Sequence, residues 1–171
     1  MAAKEPFEWK GAVLDAFRVN EEMNQLLVRN IDNRAWRAVP PGYRDKTIAG
    51  LFSHIHNCRL MWLKTSTGKT PRTAKLNRRT VTKQKASAAL RKSAEEILRL
   101  LEAGLAREDG RVRDFPLPNA VGALCYMVEH DAHHRGQVLM VHRQLGYRLP
   151  PEVAYGIWHW RKLKKQVAGG G

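Results

Sequence analysis

The chain is short of acidic residues and cysteine, and it has no long apolar run. Of its 171 residues, 16 are Asp or Glu and 30 are Lys or Arg, which gives a formal net charge of +14. The two cysteines, Cys58 and Cys125, lie far apart and form no CxxC pair. This arrangement argues against a disulfide scaffold or a zinc ribbon. No apolar run reaches the ~18 residues that cross a bilayer, so no membrane segment is expected.

The opening residues, MAAKEPFEWK, contain no apolar core segment, so we expect no secretory signal. Free thiols and the lack of an anchor together predict a cytoplasmic protein. Apolar residues make up 43% of the chain, enough for a sizeable core in a chain of one domain's length. We expect a single domain over residues 1–168, followed by a disordered glycine tail at 169–171.

No acidic residue occurs between Asp45 and Glu95, whereas residues 46–94 contain twelve basic residues. A stretch of this kind attracts polyanions such as nucleic acids. The simpler explanation is a solvated loop and helix face in a basic protein. Residues 65–94 contain no aromatic side chain that could stack on a base. Nucleic-acid binding by a basic stress protein without catalysis is therefore kept as the alternative function.

The spacing of apolar residues predicts four main helices and one short helix, with no strand. Together they predict an all-α fold, an antiparallel four-helix bundle with a short additional C-terminal helix. A long exposed loop is expected over 66–80. The predicted helices are 6–31, 47–65 with Thr47 as N-cap, 82–107, 119–145 with Gly146 as its stop, and a last one after 150–151 that holds Tyr155, Trp158 and Trp160. The first helix has an apolar stripe of Phe7, Leu14, Phe17, Leu27 and Ile31.

Three histidines on two predicted helices are candidate metal ligands. His130 and His134 are four residues apart, so their side chains lie on one helix face, with ~6 Å between Cβ atoms. Neutral imidazoles suit zinc, nickel, iron or copper. His54 lies in the second helix, and a bundle builds internal sites from facing helices. Three histidines would leave open positions for water and substrate. The alternatives are that His54 is buried and bonded to a carbonyl, and that His130 and His134 are surface residues that bind no metal.

Other residues near this pair allow competing interpretations. His133 is a rival ligand at i+3, or it orients a ligand from outside the coordination shell. Asp131 takes the Glu position of the H-E-x-x-H motif, but its shorter side chain would struggle to reach a bound water. A zincin-like protease is therefore not expected. The remaining histidines, His56, His142 and His159, are expected to have packing or surface roles.

The block His130-Asp131-Ala132-His133-His134-Arg135-Gly136-Gln137, with the following residues 141–146, resembles the closing helix of the DinB-like family. The same resemblance extends to residues 47–55, to the long basic connector and to Trp158-His159-Trp160. The resemblance implies one divalent metal, such as zinc, nickel or iron, held by three histidines. Motif by motif, these ligands fall on His54, His130 and His134.

The resemblance also implies a function. Members of this family are often homodimers, and they include S-transferases that use bacillithiol or mycothiol, a thiol-dependent isomerase and stress-induced proteins. We therefore expect a metal-dependent S-transferase or hydrolase that acts on a small electrophile, with a low-molecular-weight thiol as a candidate partner. Within the motif, Arg135 is expected to pair with a carboxylate and Gln137 to face the cavity. Gly136 costs ~1 kcal/mol relative to Ala in a helix, which suggests close approach of a neighbouring helix.

Overall fold

The computed structural model describes residues 7–168 and is all-α, as predicted. The predicted glycine tail lies outside the described residues. None of the described helices combines the length and the apolar character that crossing a membrane requires. The helices are α1 (Trp9–Asn30), α2 (Ile48–Thr67), α3 (Lys83–Leu105), α4 (Ala120–Gln144), α5 (Pro151–Ala154) and α6 (Trp160–Ala168), with a 3-10 turn at Gly156–Trp158.

Helices α2 and α4 each begin at a capping side chain and are followed by a glycine. The Thr47 hydroxyl accepts a hydrogen bond from the backbone N–H of Gly50, and the Asn119 side chain accepts one from Gly122. Both predicted helix starts are thereby confirmed, since these side chains satisfy backbone donors that lack a helical partner. At the far ends, Gly68 and Gly146 have φ of +69° and +83°. Glycine adopts this left-handed conformation without steric cost.

The two hydrophobic clusters of the bundle show how the helices run. One cluster joins the C-terminal ends of α1 and α4 to the N-terminal ends of α2 and α3. The other joins the opposite ends of the same helices. Hence α1 and α4 run one way, and α2 and α3 run the other. Because α2 and α3 are parallel, residues 68–82 must return along the whole bundle before α3 begins.

The return segment is largely exposed, as predicted, and it is also held against the bundle. The Asn57 side chain donates to the carbonyl of Leu76 and accepts from its N–H. The hydroxyl of Thr73 donates to the carboxylate of Glu96 on α3. Val81, near the end of the segment, is buried in the first cluster.

A buried layer of polar side chains separates the two hydrophobic clusters. Arg59 on α2 is fully buried and donates hydrogen bonds to Glu21 at 2.8 Å and to Asp131 at 2.6 Å. Buried charges are tolerated when they are paired and hydrogen-bonded. We call this set the polar layer; its members are Asn20, Glu21, Asn24, Gln25, Arg59, Asp131 and Arg135.

Two details of the predicted helices are wrong. Phe7 precedes α1 and is 80% exposed, so it takes no part in the apolar stripe. The predicted last helix is divided into α5, the 3-10 turn and α6. Leu163 anchors α6 on α1, whereas Trp158 and Trp160 are exposed.

Candidate metal centre

The structure brings the three predicted histidines together from α2 and α4. Each of His54, His130 and His134 offers one nitrogen, and these nitrogens all lie within 4.8 Å of one another. The Nε2 atoms of His54 and His130 are 3.2 Å apart. Two nitrogens bound to one zinc ion at 2.0–2.1 Å in tetrahedral geometry are separated by about 3.3 Å. The spacing therefore suits a shared cation. We call these three residues the histidine cluster.

The histidine cluster lies at the outer surface of the bundle, which corrects the expectation of an internal site. His54 is exposed, and His130 and His134 are partly buried. The inward positions of α2 are taken by Ile55, His56 and Arg59, all of which are fully buried. Because the polar layer already fills the interior, a cation bound by the cluster would be reachable from solvent.

The other histidines do not join the cluster. His56, and not His54, is a buried histidine bonded to a carbonyl. Its two ring nitrogens lie 3.0 Å from the Ser93 hydroxyl and 3.0 Å from the carbonyl oxygen of Ala74. Nε2 of His142 accepts from the backbone N–H of Asp32. His133 and His159 are exposed and lie outside the cluster.

Gln137 orients one histidine of the cluster. Its Oε1 lies 3.1 Å from Nδ1 of His134, and its Nε2 donates to Nε2 of His133 at 2.8 Å. Because an amide oxygen only accepts, Nδ1 of His134 carries the hydrogen. The lone pair of His134 is then on Nε2. His133 therefore contacts Gln137 and makes no direct contribution to the three-histidine group.

Asp131 belongs to the polar layer and cannot act on a molecule bound at the cluster. It is fully buried, and its Oδ2 accepts from Arg59, Asn20 and Asn24. Its other oxygen is turned toward the ring of His130. Asp131 therefore cannot serve as the general base that Glu provides in the H-E-x-x-H motif.

Arg59 is the residue of the site region that sequence reasoning missed. It lies among buried apolar residues of α2, where an unpaired charge would be costly. A lone arginine in such a run could have signalled a buried carboxylate on a neighbouring helix. Arg135 also differs from expectation, because it donates to the side-chain oxygens of Asn20 and Asn24 rather than to a carboxylate.

The three ring pKa values differ because the surroundings differ. Burial and the neighbouring ring of His130 lower the pKa of His54. Burial, with His130, His54 and His133 nearby, lowers the pKa of His134 to about 4. Burial alone would lower the pKa of His130, but Asp131 and the Cys58 thiol raise it to about 9. In metal-free protein near pH 7, the raised pKa favours the doubly protonated imidazolium form of His130. A cation that binds His130 must therefore displace one of these two protons.

Gly136 is not explained by a close helix contact. A Cβ built at this exposed position meets no atom within 4 Å. The predicted approach of a neighbouring helix is therefore wrong. Nothing else in the structure explains a glycine here.

The acid-free stretch is partly neutralised by acids from elsewhere in the chain. Of its twelve basic residues, Arg59 pairs with Glu21 and Asp131, Arg78 with Asp45, and Arg91 with Glu22. The positive charge that residues 46–94 present is therefore smaller than the twelve basic residues of the sequence suggest.

Comparisons with known proteins give one match. The sequence model of the DinB family matches residues 10–164, which include the histidine cluster and all but the first residue of the four long helices. Neither the search of curated proteins nor the search of solved structures found a match. Since the matched region covers most of the 171 residues, the chain belongs to the DinB family.

Proposed function

We propose that the protein is a metal-dependent enzyme with one divalent transition metal held by His54, His130 and His134. The reaction would be the transfer of a low-molecular-weight thiol to a small electrophile, with hydrolysis as the second version. The observation that carries the proposal is the approach of three imidazole nitrogens, from two helices, to within 4.8 Å of one another.

The donor set fits zinc, nickel or iron. Neutral imidazoles are common ligands of all three metals, and three ligands leave positions for substrate. Two of the three rings also have neighbours of the kind that fix metal-binding histidines, namely Gln137 beside His134 and Asp131 beside His130. A divalent metal bound here would act as a Lewis acid and lower the pKa of a water or thiol.

The residues around the cluster favour an external thiol over hydrolysis. Asp131 is fully buried, with one oxygen on Arg59 and the other facing Nδ1 of His130, and no carboxylate among residues 7–168 joins the three-histidine group. A hydrolase would need a group that takes the proton of water. In thiol transfer, the sulfur forms the bond to the electrophilic carbon, the leaving group departs with the bonding electrons, and the thiol proton passes to solvent. The exposure of His54 gives both reactants access.

Three further parts of the proposal follow from the family resemblance and the chemistry. We expect a homodimer, which light scattering would test. We expect the reducing cytoplasm, where low-molecular-weight thiols are maintained. Nucleic-acid binding has less support, because three of the basic residues in 46–94 are paired with acids. An affinity for duplex DNA whose logarithm falls linearly with log[salt] would support nucleic-acid binding.

The first experiment is metal analysis of the purified, reconstituted protein. We expect one metal per chain in the parent and in His133→Ala, and loss of the metal in His54→Ala and His134→Ala. His133 is a suitable control because it neighbours His134 but lies outside the cluster. Equal metal content in all four proteins would exclude the site.

The second experiment measures turnover of a model electrophile, such as chlorodinitrobenzene, with bacillithiol, mycothiol, cysteine and glutathione in turn. The transferase version predicts a rate that depends on at least one thiol and is lost in His54→Ala. A rate of ester hydrolysis without thiol would instead favour the hydrolase version. No thiol dependence with any of the four would count against the transferase.

A further inference from the structure

A cleft of about 660 Å³ adjoins the histidine cluster. Its walls are the first turns of α2, including His54, the segment 43–46 that leads into α2, and residues 76–78 of the return segment. This volume is in the range of small-molecule sites. Since His54 belongs to both the cleft and the cluster, a molecule in the cleft lies beside any cation that the cluster holds.

The cleft carries an excess of positive charge. Arg44, Lys46 and Arg78 line it, and Asp45 is the one acid among its lining residues. Asp45 is paired with Arg78. Within residues 7–168, neither Arg44 nor Lys46 forms an ion pair, so both cations are available to a ligand. The N-terminus of the 20-residue helix α2, at Thr47 and Gly50, adds the positive end of its dipole.

A buried hydroxyl in the same wall lacks a partner. Ser53 lines the cleft and is 1% exposed, yet its Oγ has no hydrogen-bond partner within the described part of the chain. Buried polar atoms in folded proteins are nearly always hydrogen-bonded. Ser53 precedes His54 directly, so a group that reached this hydroxyl would lie next to the cluster. An oxygen-rich anion would satisfy the hydroxyl and the two cations together.

We propose that this cleft binds a carboxylate or phosphate group of a small substrate whose reacting atom lies at the histidine cluster. The inference rests on the proposed function and adds the substrate class, an oxyanion-bearing molecule. The anion would belong to either the thiol or the electrophile. It would be bound by Arg44, Lys46 and the Ser53 hydroxyl.

The first test measures the binding of inorganic phosphate to the metal-loaded protein by NMR titration. The double variant Arg44→Gln/Lys46→Gln should weaken phosphate binding by about tenfold, because hydrogen bonds to charged groups are lost. The control Lys85→Gln/Lys92→Gln removes two exposed charges on α3, outside the cleft, and should bind phosphate like the parent. Equal affinities in the two double variants would overturn the proposal, whether both fall or neither does.

Ser53→Ala separates a ligand role from a structural one. Because the hydroxyl makes no hydrogen bond within residues 7–168, its removal should leave the urea midpoint unchanged or raise it. Phosphate affinity should fall by at least threefold, since one donor to the anion is lost. Unchanged phosphate affinity would remove Ser53 from the site. A lowered midpoint with unchanged affinity would show a purely structural role.

Kinetics then identify the source of the anion. In Arg44→Gln/Lys46→Gln, KM should rise for the substrate that bears the carboxylate or phosphate, and not for its neutral analogue. A rise with the thiol series assigns the anion to the thiol, and a rise with the electrophile series assigns it to the electrophile. No rise in either series would overturn the inference while metal content stays at one per chain. Loss of metal in His54→Ala is measured separately, so failure of the proposed function is distinguishable from failure of the cleft.

Discussion

Nδ1 of His130 lies 3.6 Å from Oδ1 of Asp131, and both atoms are buried without a hydrogen-bond partner in residues 7–168. The other oxygen of Asp131 is held by Arg59 and two asparagines. The carboxylate is thus fixed on the side of the His130 ring that faces away from His54. A carboxylate in this position favours the hydrogen on Nδ1 and the lone pair on Nε2. The polar layer and the histidine cluster are therefore connected through adjacent residues.

Asp131→Asn should lower metal affinity by about 10–100-fold. The reason is that an amide oxygen retained by Arg59 would turn the NH2 group toward Nδ1 of His130, so two donors would face each other. The variant should also lose roughly 3 kcal/mol of unfolding free energy, because a buried ion pair is broken. Competition with a chromophoric chelator measures the affinity on folded protein, and urea unfolding measures the stability.

Glu21→Gln is the matched control for that variant. It breaks the other ion pair of Arg59, whose carboxylate lies 2.8 Å from the guanidinium, without changing Asp131. We expect a comparable loss of stability, with metal affinity within about twofold of the parent. If both variants lost affinity equally, the effect would come from a weakened polar layer and not from the contact between Asp131 and His130.

Gln137→Leu should weaken metal binding by about tenfold, because His134 loses the acceptor that fixes the hydrogen on Nδ1. Little stability should be lost, since Gln137 is partly exposed on α4. The same chelator competition measures this effect. His133→Ala removes the other partner of Gln137 and leaves the bond to His134 intact, so it should bind metal like the parent. A drop in His133→Ala as large as in Gln137→Leu would contradict this account.

The helix boundaries were predictable because their signals are local. Thr47 and Asn119 cap helices by bonding backbone N–H groups three residues ahead, and Gly146 ends α4 at a positive φ. Such interactions involve only neighbours in sequence, so the residue types are sufficient to locate them. Phe7 was misassigned because an apolar residue near a helix start does not by itself show where the helix begins.

The position of the histidine cluster depends on tertiary packing, which the sequence left open. The spacing of His130 and His134 alone predicts a shared face of α4. For His54, however, the apolar residues surround α2 on most sides, and Met61 is 48% exposed. No clear stripe tells which face is inward. His56 and Arg59 take the interior positions, and the preference for buried apolar residues gives no warning of either.

The two glycines of α4 should respond in opposite directions to alanine. Gly136→Ala should raise the unfolding free energy by about 0.5–1 kcal/mol, because alanine favours the helix and its Cβ meets nothing within 4 Å. Gly122→Ala should lower it by about 1–3 kcal/mol, because the new Cβ would lie 2.6 Å from the carbonyl oxygen of Leu117. Urea unfolding measures both. Destabilisation by Gly136→Ala would reveal a contact at that surface.

Acid should destabilise the metal-free protein partly through His142. Burial lowers the pKa of this ring, Lys83 also lowers it, and Asp32 opposes them. Because the folded pKa is below the ordinary value of about 6.5, the unfolded chain binds more protons once the pH falls below that value. The stability that His142 contributes is therefore complete above about pH 6.5 and is lost as the pH falls toward the folded pKa.

His142→Gln tests this because the glutamine oxygen replaces Nε2 as the acceptor of the Asp32 N–H and does not titrate. Urea unfolding between pH 7.5 and 5 should show a shallower decline of the unfolding free energy in this variant than in the parent.

His54, His56 and His134 also have lowered pKa values, but they are unchanged in the variant and cancel in the comparison. The raised pKa of His130 acts above about pH 6.5, where stability from that group is lost as the pH rises toward 9, and it too is unchanged in the variant. His159→Gln, at an exposed histidine, should keep the parent's pH dependence. Identical slopes in His142→Gln and His159→Gln would show that His142 is not a source of the acid sensitivity.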